Sequence, residues 1–460
     1  MSVFKAYDIR GLAGSQLDAE FARRLGSALV THVDAKSIAV ARDIRESGPE
    51  LHEAFLQGIT EAGADVIDLG ITTTGVLYRA TVDLSVDAAV AITASHNPPE
   101  YNGFKICRGT LPMAGEELQE LKATFDAGEF HSGSGTITEM SEFEEQVLQT
   151  IVENAGMPQR SIRIAIDCGN AVPGPLTVSL MQKLGVDLVP IHCDWDNTFP
   201  NHPPDPTRQK NMVDLSKAVV EKNCEFGIGM DGDGDRIGVV DEQGRFIHPD
   251  RLMAVIAADV LVDRRDGTEA ERTVFFDVKC SMALEEAILA SGGVPKMVRT
   301  GHSFMKRELR SNPEAVMAGE MSGHFFLHDR WPGFDCSLYN AARLLEIVGR
   351  DSSPKDGGMS FSQRFANLPD YPSTDETKIP LVAGREETMA AVEGAFADMQ
   401  KSTVDGIRVR YPDGWYLCRP SNTEPILVMR AEGRDDSALA AIIEDVNSRI
   451  GHMLDLSKLR

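Results

Sequence analysis

The segment "DGDGDR" places three carboxylates, Asp231, Asp233 and Asp235, two residues apart with glycines between them. The glycines allow the chain to curl, so that the three side chains can point at one centre. Carboxylates this close repel one another unless a cation lies among them, and oxygen ligands favour Mg²⁺ or Ca²⁺. We therefore predict a metal site with an open position for a substrate or phosphate oxygen.

An EF-hand is an alternative interpretation of the same segment, since its three aspartates and Glu242 match four ligand positions of that loop. However, Arg236 stands where the EF-hand requires glycine, and the flanks "EFGIGM" and "IGVVDEQG" are typical of strands. We reject the EF-hand on these grounds. A charged surface turn remains the simpler alternative.

A second segment, "TASHNPP", places Ser95 beside His96 after an apolar run. It lacks the G-x-S-x-G elbow of serine hydrolases, and Pro98 and Pro99 disfavour the helix that follows such an elbow. Adjacent side chains on an extended chain point opposite ways, so we expect His96 to be badly placed to deprotonate Ser95. The alternative is that Ser95 is only a turn residue.

Two further loops carry groups suited to sugars and phosphates. In "GEMSGH", Glu320 and Ser322 occupy alternate positions, so both can face neighbouring sugar hydroxyls. "RPSNTEP" offers a guanidinium, two hydroxyls and an amide within five residues, which suits a phosphate. Taken alone, each loop is also compatible with an ordinary turn.

The elements that must position these loops follow a repeated pattern. Three stretches, beginning at "SIAVARD", "IRIAIDCGN" and "TVFFDVKCS", each contain a strand, a polar turn, a helix-like stretch, a glycine and a second strand. This is the βαβ pattern of a parallel sheet covered by helices, and three copies indicate a triplicated α/β module. Since ligands of open α/β sheets bind at the carboxyl ends of strands, we expect the loops to converge on one site.

The predicted fold class is α/β, with three related domains of mixed or parallel sheets and a C-terminal α+β domain. We place these domains at residues 1–141, 142–245, 246–362 and 363–460. A junction rich in Pro, Gly and Ser, near residues 352–373, is expected to act as a hinge before the fourth domain.

Composition excludes several classes of protein. The net charge of −24 over 460 residues argues against nucleic-acid binding, since phosphate backbones need basic surfaces. No apolar run has membrane-spanning length, and the N-terminus lacks the apolar core of a signal peptide, so we expect no membrane partner. The seven cysteines are scattered singly without a C-x-x-C pair, so we expect a reducing cytoplasm.

Together these loops resemble those of the α-D-phosphohexomutase family, and most closely its bacterial phosphomannomutase/phosphoglucomutase group. The likeness covers nearly the whole chain. "KAYDIRG" is similar to the family's N-terminal substrate loop, "TASHNPPEYNGFK" to its phosphoserine loop and "DGDGDR" to its metal loop. "GEMSGH" is similar to its sugar loop and "RPSNTEP" to its distal phosphate loop. The resemblance implies four domains around a central cleft.

The resemblance further implies an intramolecular phosphotransferase that interconverts hexose 1-phosphates and 6-phosphates of mannose and glucose. The reaction would pass through a phosphoserine enzyme and a hexose 1,6-bisphosphate, which also serves as activator. One Mg²⁺ per chain would assist it, and the partners would be small sugar phosphates bound by a monomer or weak dimer. Phosphoglucosamine mutase is the alternative; its loop commonly has Gln where Met321 stands here, which favours the first interpretation.

Residue roles also follow from the resemblance. The catalytic group comprises Ser95, Arg10, Lys105 and His302, and the metal ligands are Ser95, Asp231, Asp233 and Asp235. His96 and Arg236 form the phosphoserine environment. The substrate-binding residues are Tyr7, Lys279, Glu320, Ser322, His324, Arg419, Ser421, Asn422, Thr423 and Arg430. His302 is a candidate for proton transfer, with a structural turn histidine as the alternative, and Lys279 has an ordinary solvated lysine as its alternative.

Overall fold

Four consecutive β-sheets, each with its own helices, make up the computed structural model, which describes residues 2–381, 384–421 and 426–459. The first three sheets combine parallel and antiparallel strands, whereas all strand pairs of the fourth are antiparallel. This architecture confirms the predicted fold class of three related α/β units followed by an α+β unit.

The first sheet has the strand order β1-β5-β4-β2-β3-β7, with the short β6 beside β5. Its elements are β1 (Ile9–Leu12), α1 (Ala19–Val33), β2 (Ser37–Arg42), α2 (Gly48–Glu61), β3 (Asp65–Ile71), α3 (Thr74–Asp83), β4 (Ala88–Ile92), β5 (Tyr101–Arg108), β6 (Leu111–Pro112), α4 (Glu116–Ala127) and β7 (Ile137–Glu139). Every residue of the alanine- and valine-rich β4 is buried, as expected of a strand covered on both faces.

The second sheet has the order β12-β11-β10-β8-β9. Its elements are α5 (Phe143–Ala155), β8 (Arg163–Asp167), α6 (Gly174–Lys183), β9 (Asp187–Ile191), α7 (Val213–Glu221), β10 (Phe226–Met230), β11 (Ile237–Asp241) and β12 (Phe246–Ile247). Strands β8, β9 and β10 are parallel, and β11 returns antiparallel beside β10.

The third sheet has the order β14-β13-β15-β16. Its elements are α8 (Pro249–Val260), β13 (Thr273–Asp277), α9 (Met282–Ala290), β14 (Val294–Val298), α10 (His302–Ser311), β15 (Met317–Gly319), β16 (Phe325–Leu327) and α11 (Ser337–Gly349). Strands β13, β14 and β15 are parallel, and β16 returns antiparallel beside β15.

These three sheets share one topology. In each, a central strand (β2, β8 or β13) has the next strand of the chain on one side and the following strand (β4, β10 or β15) on the other, both parallel to it. A hairpin then reverses the chain into β5, β11 or β16. The triplicated module predicted from the sequence is therefore observed, and each chemically unusual loop connects the two strands of this hairpin.

The fourth sheet has the order β17-β21-β20-β19-β18. Its elements are β17 (Thr377–Pro380), α12 (Arg385–Ala395), β18 (Lys401–Ser402), β19 (Ile407–Tyr411), β20 (Gly414–Pro420), β21 (Ile426–Gly433) and α13 (Asp436–Ile450). The predicted distal phosphate loop, "RPSNTEP", begins in the last residues of β20 and leads toward β21.

Side-chain caps fix the starts of several helices. Asp18 accepts the backbone N–H of Phe21 at the start of α1, and Thr73 accepts that of Val76 at the start of α3. The longest helices of the described ranges, α1 and α13, have 15 residues each. Across those ranges, no helix combines the length and apolar character needed to cross a bilayer.

The cores show which units are joined firmly. One continuous cluster of buried apolar side chains draws on all three related sheets, with members such as Leu77, Ile164 and Leu252. The fourth unit has its own cluster around β20 and α13. A small cluster of Val278, Trp415 and Leu417 lies between the third and fourth units. The first three modules therefore form one packed body, to which the fourth attaches through less apolar surface.

Candidate active site

The loops of the three hairpins meet at one place, as expected from their shared position in each sheet. The Ser95 hydroxyl of the first loop donates to Oδ2 of Asp231 in the second at 2.8 Å. Arg236, at the end of the second loop, forms an isolated backbone bridge with His324 of the third. The serine, the three aspartates and the sugar-type loop therefore lie together.

The three aspartates are buried and compensated by a cation from the first module. Lys105, from β5, places Nζ 2.6 Å from Oδ2 of both Asp233 and Asp235. The Thr74 hydroxyl donates to the same Oδ2 of Asp233 at 2.6 Å. The backbone N–H of Asp235 donates to Oδ1 of Asp231 at 3.0 Å. Each carboxylate therefore has a fixed orientation before any ligand binds.

These contacts set the protonation of the cluster. Burial and the two neighbouring carboxylates raise the pKa of Asp231 well above its usual value. Burial also opposes ionisation of Asp233 and Asp235, but the Lys105 ammonium outweighs it and lowers both pKa values. Burial alone would lower the pKa of Lys105, yet the carboxylates around it raise that pKa. Asp233 and Asp235 are thus held ionised.

The cluster fits a hard divalent cation. Oδ1 of Asp233 and Oδ1 of Asp235 are buried and lack a hydrogen-bond partner within the described part of the chain. The three carboxylates offer oxygen atoms that all lie within 4.8 Å of one another. Mg²⁺ prefers oxygen ligands and keeps positions for water or phosphate oxygens. Asp231, Asp233 and Asp235 could therefore hold Mg²⁺ with the Ser95 oxygen beside it.

Ser95 occupies a strained backbone conformation at the apex of its loop. Its φ of 51° lies in the left-handed region, which costs free energy for a residue other than glycine. Its N–H donates to the Thr93 hydroxyl at 2.9 Å, which helps to hold that conformation. A Cβ at Gly232 would lie 2.2 Å from the Ser95 carbonyl oxygen, so only glycine permits the two loops to approach this closely.

The expectation that His96 points away from Ser95 is wrong. Its Nδ1 lies 3.1 Å from Ser95 Oγ, because the left-handed backbone at Ser95 does not alternate side chains as an extended strand does. Burial and the charge of Arg236 lower the pKa of His96 well below its usual value, so the ring is neutral. Since the Ser95 hydroxyl donates to Asp231, His96 Nδ1 is the donor to Ser95 Oγ. It is therefore still not the base for Ser95.

Arg45 organises the serine loop and was missed by sequence reasoning. Its buried guanidinium donates to the backbone carbonyls of Ser95, Asn97, Pro98 and Tyr101, at 2.7 to 3.0 Å. Its Nε pairs with Asp43 at 3.0 Å, and Asp43 in turn accepts the Thr93 hydroxyl at 2.6 Å. A usable signal was present, because "RDIR" places charged residues directly after the apolar β2.

The third loop presents a buried carboxylate and an oriented histidine. Glu320 accepts a backbone N–H from the start of α10 at 2.6 Å, and burial raises its pKa. His324 Nε2 accepts from Nε of Arg236 at 3.0 Å, while its Nδ1 lies 2.8 Å from Asp335. The Nδ1 proton therefore faces Asp335, and Arg236 joins the metal-type loop to the sugar-type loop. Ser322 follows in the same turn and is half-buried.

His302 begins α10 in contact with other predicted site residues. Its ring stacks on that of His324 with centroids 5.4 Å apart, and it meets the Tyr7 ring edge-on at 5.9 Å. Its Nδ1 lies 3.2 Å from Nζ of Lys306. Burial and the charges of Lys306 and Lys105 lower the pKa of His302 well below its usual value. The imidazole is therefore neutral and accepts from Lys306 through Nδ1.

Arg10 reaches the serine loop from the other side. It lies in β1 and donates from one terminal nitrogen to Oδ1 of Asn97 at 2.9 Å and from the other to Asp8 at 2.5 Å. Its Nε is buried and has no acceptor within the described ranges. The guanidinium is thus anchored beside Ser95.

The fourth unit brings a guanidinium to the third. Arg419, at the end of β20, donates from Nε to Oδ2 of Asp405 at 2.7 Å, and the same oxygen accepts the backbone N–H of Thr300 at 3.2 Å. Nη2 of Arg419 is buried without a partner among the residues described. The remaining members of this predicted loop are Ser421, which is buried, and Asn422 and Thr423, which lie outside the described residues.

Lys279 is buried, unlike an ordinary solvated lysine. Its Nζ lies 3.0 Å from Glu376 and 3.8 Å from Asp277, and these charges raise its pKa against the effect of burial. The Lys279 charge lowers the pKa of Glu376 to about 2. Arg430 donates to the Lys279 carbonyl at 2.7 Å and to the hydroxyl of Ser373 at 3.2 Å. Both predicted substrate-binding residues therefore lie where the third and fourth units meet.

Family models of phosphoglucomutase/phosphomannomutase match almost the full length of the chain. Those of the alpha/beta/alpha domains I, II and III match residues 1–132, 141–244 and 248–370, and that of the C-terminal domain matches residues 376–448. The order of the matched models is the order of the four sheets.

Individual relatives agree with these matches. The phosphomannomutase/phosphoglucomutase of Pseudomonas aeruginosa is 39% identical over 96% of this chain and 94% of its own. A phosphoglucomutase of Neisseria meningitidis is 40% identical over 96% of this chain and 95% of its own. A crystal structure of a phosphoglucomutase/phosphomannomutase family protein from Burkholderia thailandensis superposes with a TM-score of 0.89 at 38% identity, covering 98% of this chain and 97% of that one.

The carboxylate cluster predicts a stabilising response to Mg²⁺. Saturating Mg²⁺ should raise the thermal midpoint of the full-length protein, because a ligand at 100 times its Kd adds about 2.7 kcal/mol to the free energy of unfolding. Asp233→Asn should abolish most of this increase by removing one ligand charge. Asp126→Asn, on the exposed face of α4, is the matched control and should respond like the wild type. An unchanged Mg²⁺ response in Asp233→Asn would exclude the cluster as the binding site.

Proposed function

This chain belongs to the phosphoglucomutase/phosphomannomutase family, and from that premise we propose that it reversibly interconverts hexose 1-phosphates and hexose 6-phosphates. The reaction passes through a phosphoserine at Ser95 and a hexose 1,6-bisphosphate, which also serves as the activator. The substrates are mannose and glucose phosphates. The alternative is a phosphoglucosamine mutase, whose sugar loop commonly has Gln where Met321 stands here.

The observation that carries this proposal is the contact between Ser95 Oγ and Asp231 at 2.8 Å. It places a hydroxyl at the buried carboxylate cluster, in which Asp233 and Asp235 are ionised and each has one oxygen free for a cation. A protein that only bound sugar phosphates would not need a nucleophile there. Phosphoryl transfer depends on this combination, since its catalysis rests mainly on positioning and charge stabilisation.

The residues around Ser95 have separable tasks in the proposed step. The bond from phosphorus to Ser95 Oγ breaks while a bond from phosphorus to a sugar hydroxyl oxygen forms. His96 Nδ1–H stabilises the Ser95 oxygen as it leaves. Lys105 stabilises the negative charge that develops during the transfer. Asp231, Asp233 and Asp235 would hold a Mg²⁺, and when bound it would supply further neutralisation of that charge. The neutral His302 can accept the proton that the sugar hydroxyl loses, at Nδ1, its unprotonated nitrogen, in place of the hydrogen bond from Lys306.

The sugar loop offers a reason why both glucose and mannose phosphates would be accepted. In the family, residues at the positions of Glu320 and Ser322 hold the hydroxyls at C3 and C4. Glucose and mannose are identical there and differ only at C2, so a site that reads C3 and C4 accepts both. Rejection of either sugar would require a dedicated contact or clash at C2.

The distal phosphate is assigned to the fourth unit. Arg419 and Ser421, with Asn422 and Thr423 outside the described residues, would bind it when the unit closes. Closure shields the phosphoserine from water, and loosening allows the bisphosphate to reorient. Lys279 and Arg430 lie at the boundary between the third and fourth units, so their contacts would change with this movement.

Cellular setting and assembly stay predictions. We infer a reducing cytoplasm from the seven cysteines, all of which carry free thiols. A monomer or weak dimer remains the expected state.

Ser95→Ala tests the function itself. The variant should lose mutase activity by at least about 10³-fold even with bisphosphate activator, because no hydroxyl remains to carry the phosphoryl group. Intact-mass measurement should find one phosphoryl group on the wild type and none on the variant. Ser132→Ala, at an exposed serine, is the control. Full activity of Ser95→Ala would refute the mechanism, and side-by-side assays on mannose, glucose and glucosamine 1-phosphates would decide the sugar.

Arg45→Lys tests the support of the serine loop. Lysine keeps the charge but cannot reach the four carbonyls that the guanidinium holds, so kcat should fall by about 10²-fold through misplacement of Ser95. KM should change much less, because Arg45 does not belong to the substrate-binding set. Arg23→Lys, at an exposed arginine, is the matched control. Wild-type kcat in Arg45→Lys would show that the carbonyl contacts do not position the nucleophile.

The lowered pKa of His302 predicts the pH profile. A group whose pKa is depressed stays neutral at all pH values above that pKa, so the wild type should lose kcat/KM only well below pH ~6.5, the ordinary value of imidazole. His302→Gln should lower kcat and remove this acid limb. An acid limb that persists unchanged in His302→Gln would assign proton transfer to another group.

A further inference from the structure

A second group of potential metal ligands lies in the second module, at the carboxyl ends of β8 and β9. Asp167 ends β8, His192 follows β9 directly, and His202 lies in the loop beyond it. One ligand atom from each side chain lies within 4.8 Å of the other two. None of these residues belongs to the proposed catalytic or substrate-binding set.

The geometry of two of these side chains suits metal ligation. Asp167 is buried, and its Oδ1 accepts the N–H of Gly169 at 2.9 Å while its Oδ2 lies 3.0 Å from Nε2 of His202. Nδ1 of His202 lies 2.9 Å from the carbonyl oxygen of Pro203. A histidine whose one ring nitrogen donates to a carbonyl is fixed in orientation and leaves the other for a metal.

His192 completes the group from the other strand. Its backbone is held in the left-handed region at φ 48°, and its ring meets that of His202 edge-on at 5.6 Å. Its Nε2 is buried without a hydrogen-bond partner among the residues described, with Asp214 Oδ2 at 3.6 Å. A buried ring nitrogen left unpaired is costly unless a ligand satisfies it.

We propose that Asp167, His192 and His202 form a binding site for a divalent transition-metal ion, with Zn²⁺ as the ion that fits best. Two imidazoles and one carboxylate are the ligands of a borderline ion and leave a fourth position open. The ligand set therefore differs from the all-carboxylate cluster at residues 231–235, which suits the harder Mg²⁺. The chain would carry two chemically distinct metal sites in one module.

The segment at residues 192–205 connects this second site to Arg45, which holds the serine loop, and to the loop of the three aspartates. The Phe199 ring lies 5.6 Å below the Arg45 guanidinium. The Pro204 carbonyl accepts the backbone N–H of Gly232 at 3.1 Å. A metal ion at Asp167, His192 and His202 would tie this segment to the strand ends and so hold the surroundings of the catalytic loops.

The test measures Zn²⁺ binding to the full-length, chelator-stripped chain by competition with a chromophoric chelator. Asp233→Asn is the background, because it weakens the carboxylate site and changes no residue of the second one. This background should bind one equivalent of Zn²⁺, and added His192→Asn should weaken that binding by at least about 100-fold, since even outer-shell partners contribute 10–100-fold. The Co²⁺-loaded background should show the visible absorption of nitrogen-ligated Co²⁺, and His192→Asn should lose it.

Two controls separate this site from other ligands. His131→Asn, at a half-exposed histidine of the first module, should bind Zn²⁺ like the background. Cys193→Ser should do the same, because the Cys193 thiol lies 3.7 Å from Cys168 and faces backbone carbonyls. Absence of Zn²⁺ binding in the Asp233→Asn background, unchanged affinity in His192→Asn, or loss of binding in Cys193→Ser would each overturn the proposal.

Discussion

The ammonium group of Lys105, held between two buried aspartates, is the contact on which the rest of the site depends. Removing a carboxylate from water costs several kcal/mol, and an uncompensated charge left behind is strongly destabilising. Lys105 comes from the first sheet and the aspartates from the second, so the same contact joins two modules. It binds the Oδ2 atoms of Asp233 and Asp235 and leaves the Oδ1 atoms open. Compensation by Lys105 therefore leaves one oxygen of each carboxylate for a cation.

The repeated topology explains why groups from three modules reach this contact. Each module ends its parallel strands in a hairpin, and the loop of that hairpin leaves the sheet beside the carboxyl end of the central strand. The modules share one apolar core, which fixes their relative positions. Arg236 then connects the second loop to His324 in the third. A polar network at the centre is thus supported by apolar packing around it.

The sequence allowed the three-module α/β fold to be predicted, because the βαβ pattern is local and recurs three times. It also allowed Ser95 and the aspartates to be named, since their short motifs carry the chemistry within a few residues. Arg45 was missed, because its acceptors lie 50 or more residues further along the chain and only its place in "RDIR", after β2, marked it in the sequence. The orientation of His96 was wrongly predicted, because an extended backbone was assumed where Ser95 adopts the left-handed region. Tertiary contacts set both features.

The charged residues at the boundary between the third and fourth units are also proposed to bind the substrate. Lys279 pairs with Glu376, and Arg419 pairs with Asp405, across or beside the boundary between the third and fourth units. A substrate phosphate bound at Lys279 or Arg419 would bring an anion to the same cation, in place of the carboxylate with which it now pairs. Besides a small apolar cluster, several polar contacts cross this boundary, among them the hydrogen bond from Arg408 to the Cys280 carbonyl at 3.0 Å. The proposed opening and closing of the fourth unit would exchange these polar contacts and leave the core shared by the first three modules unchanged.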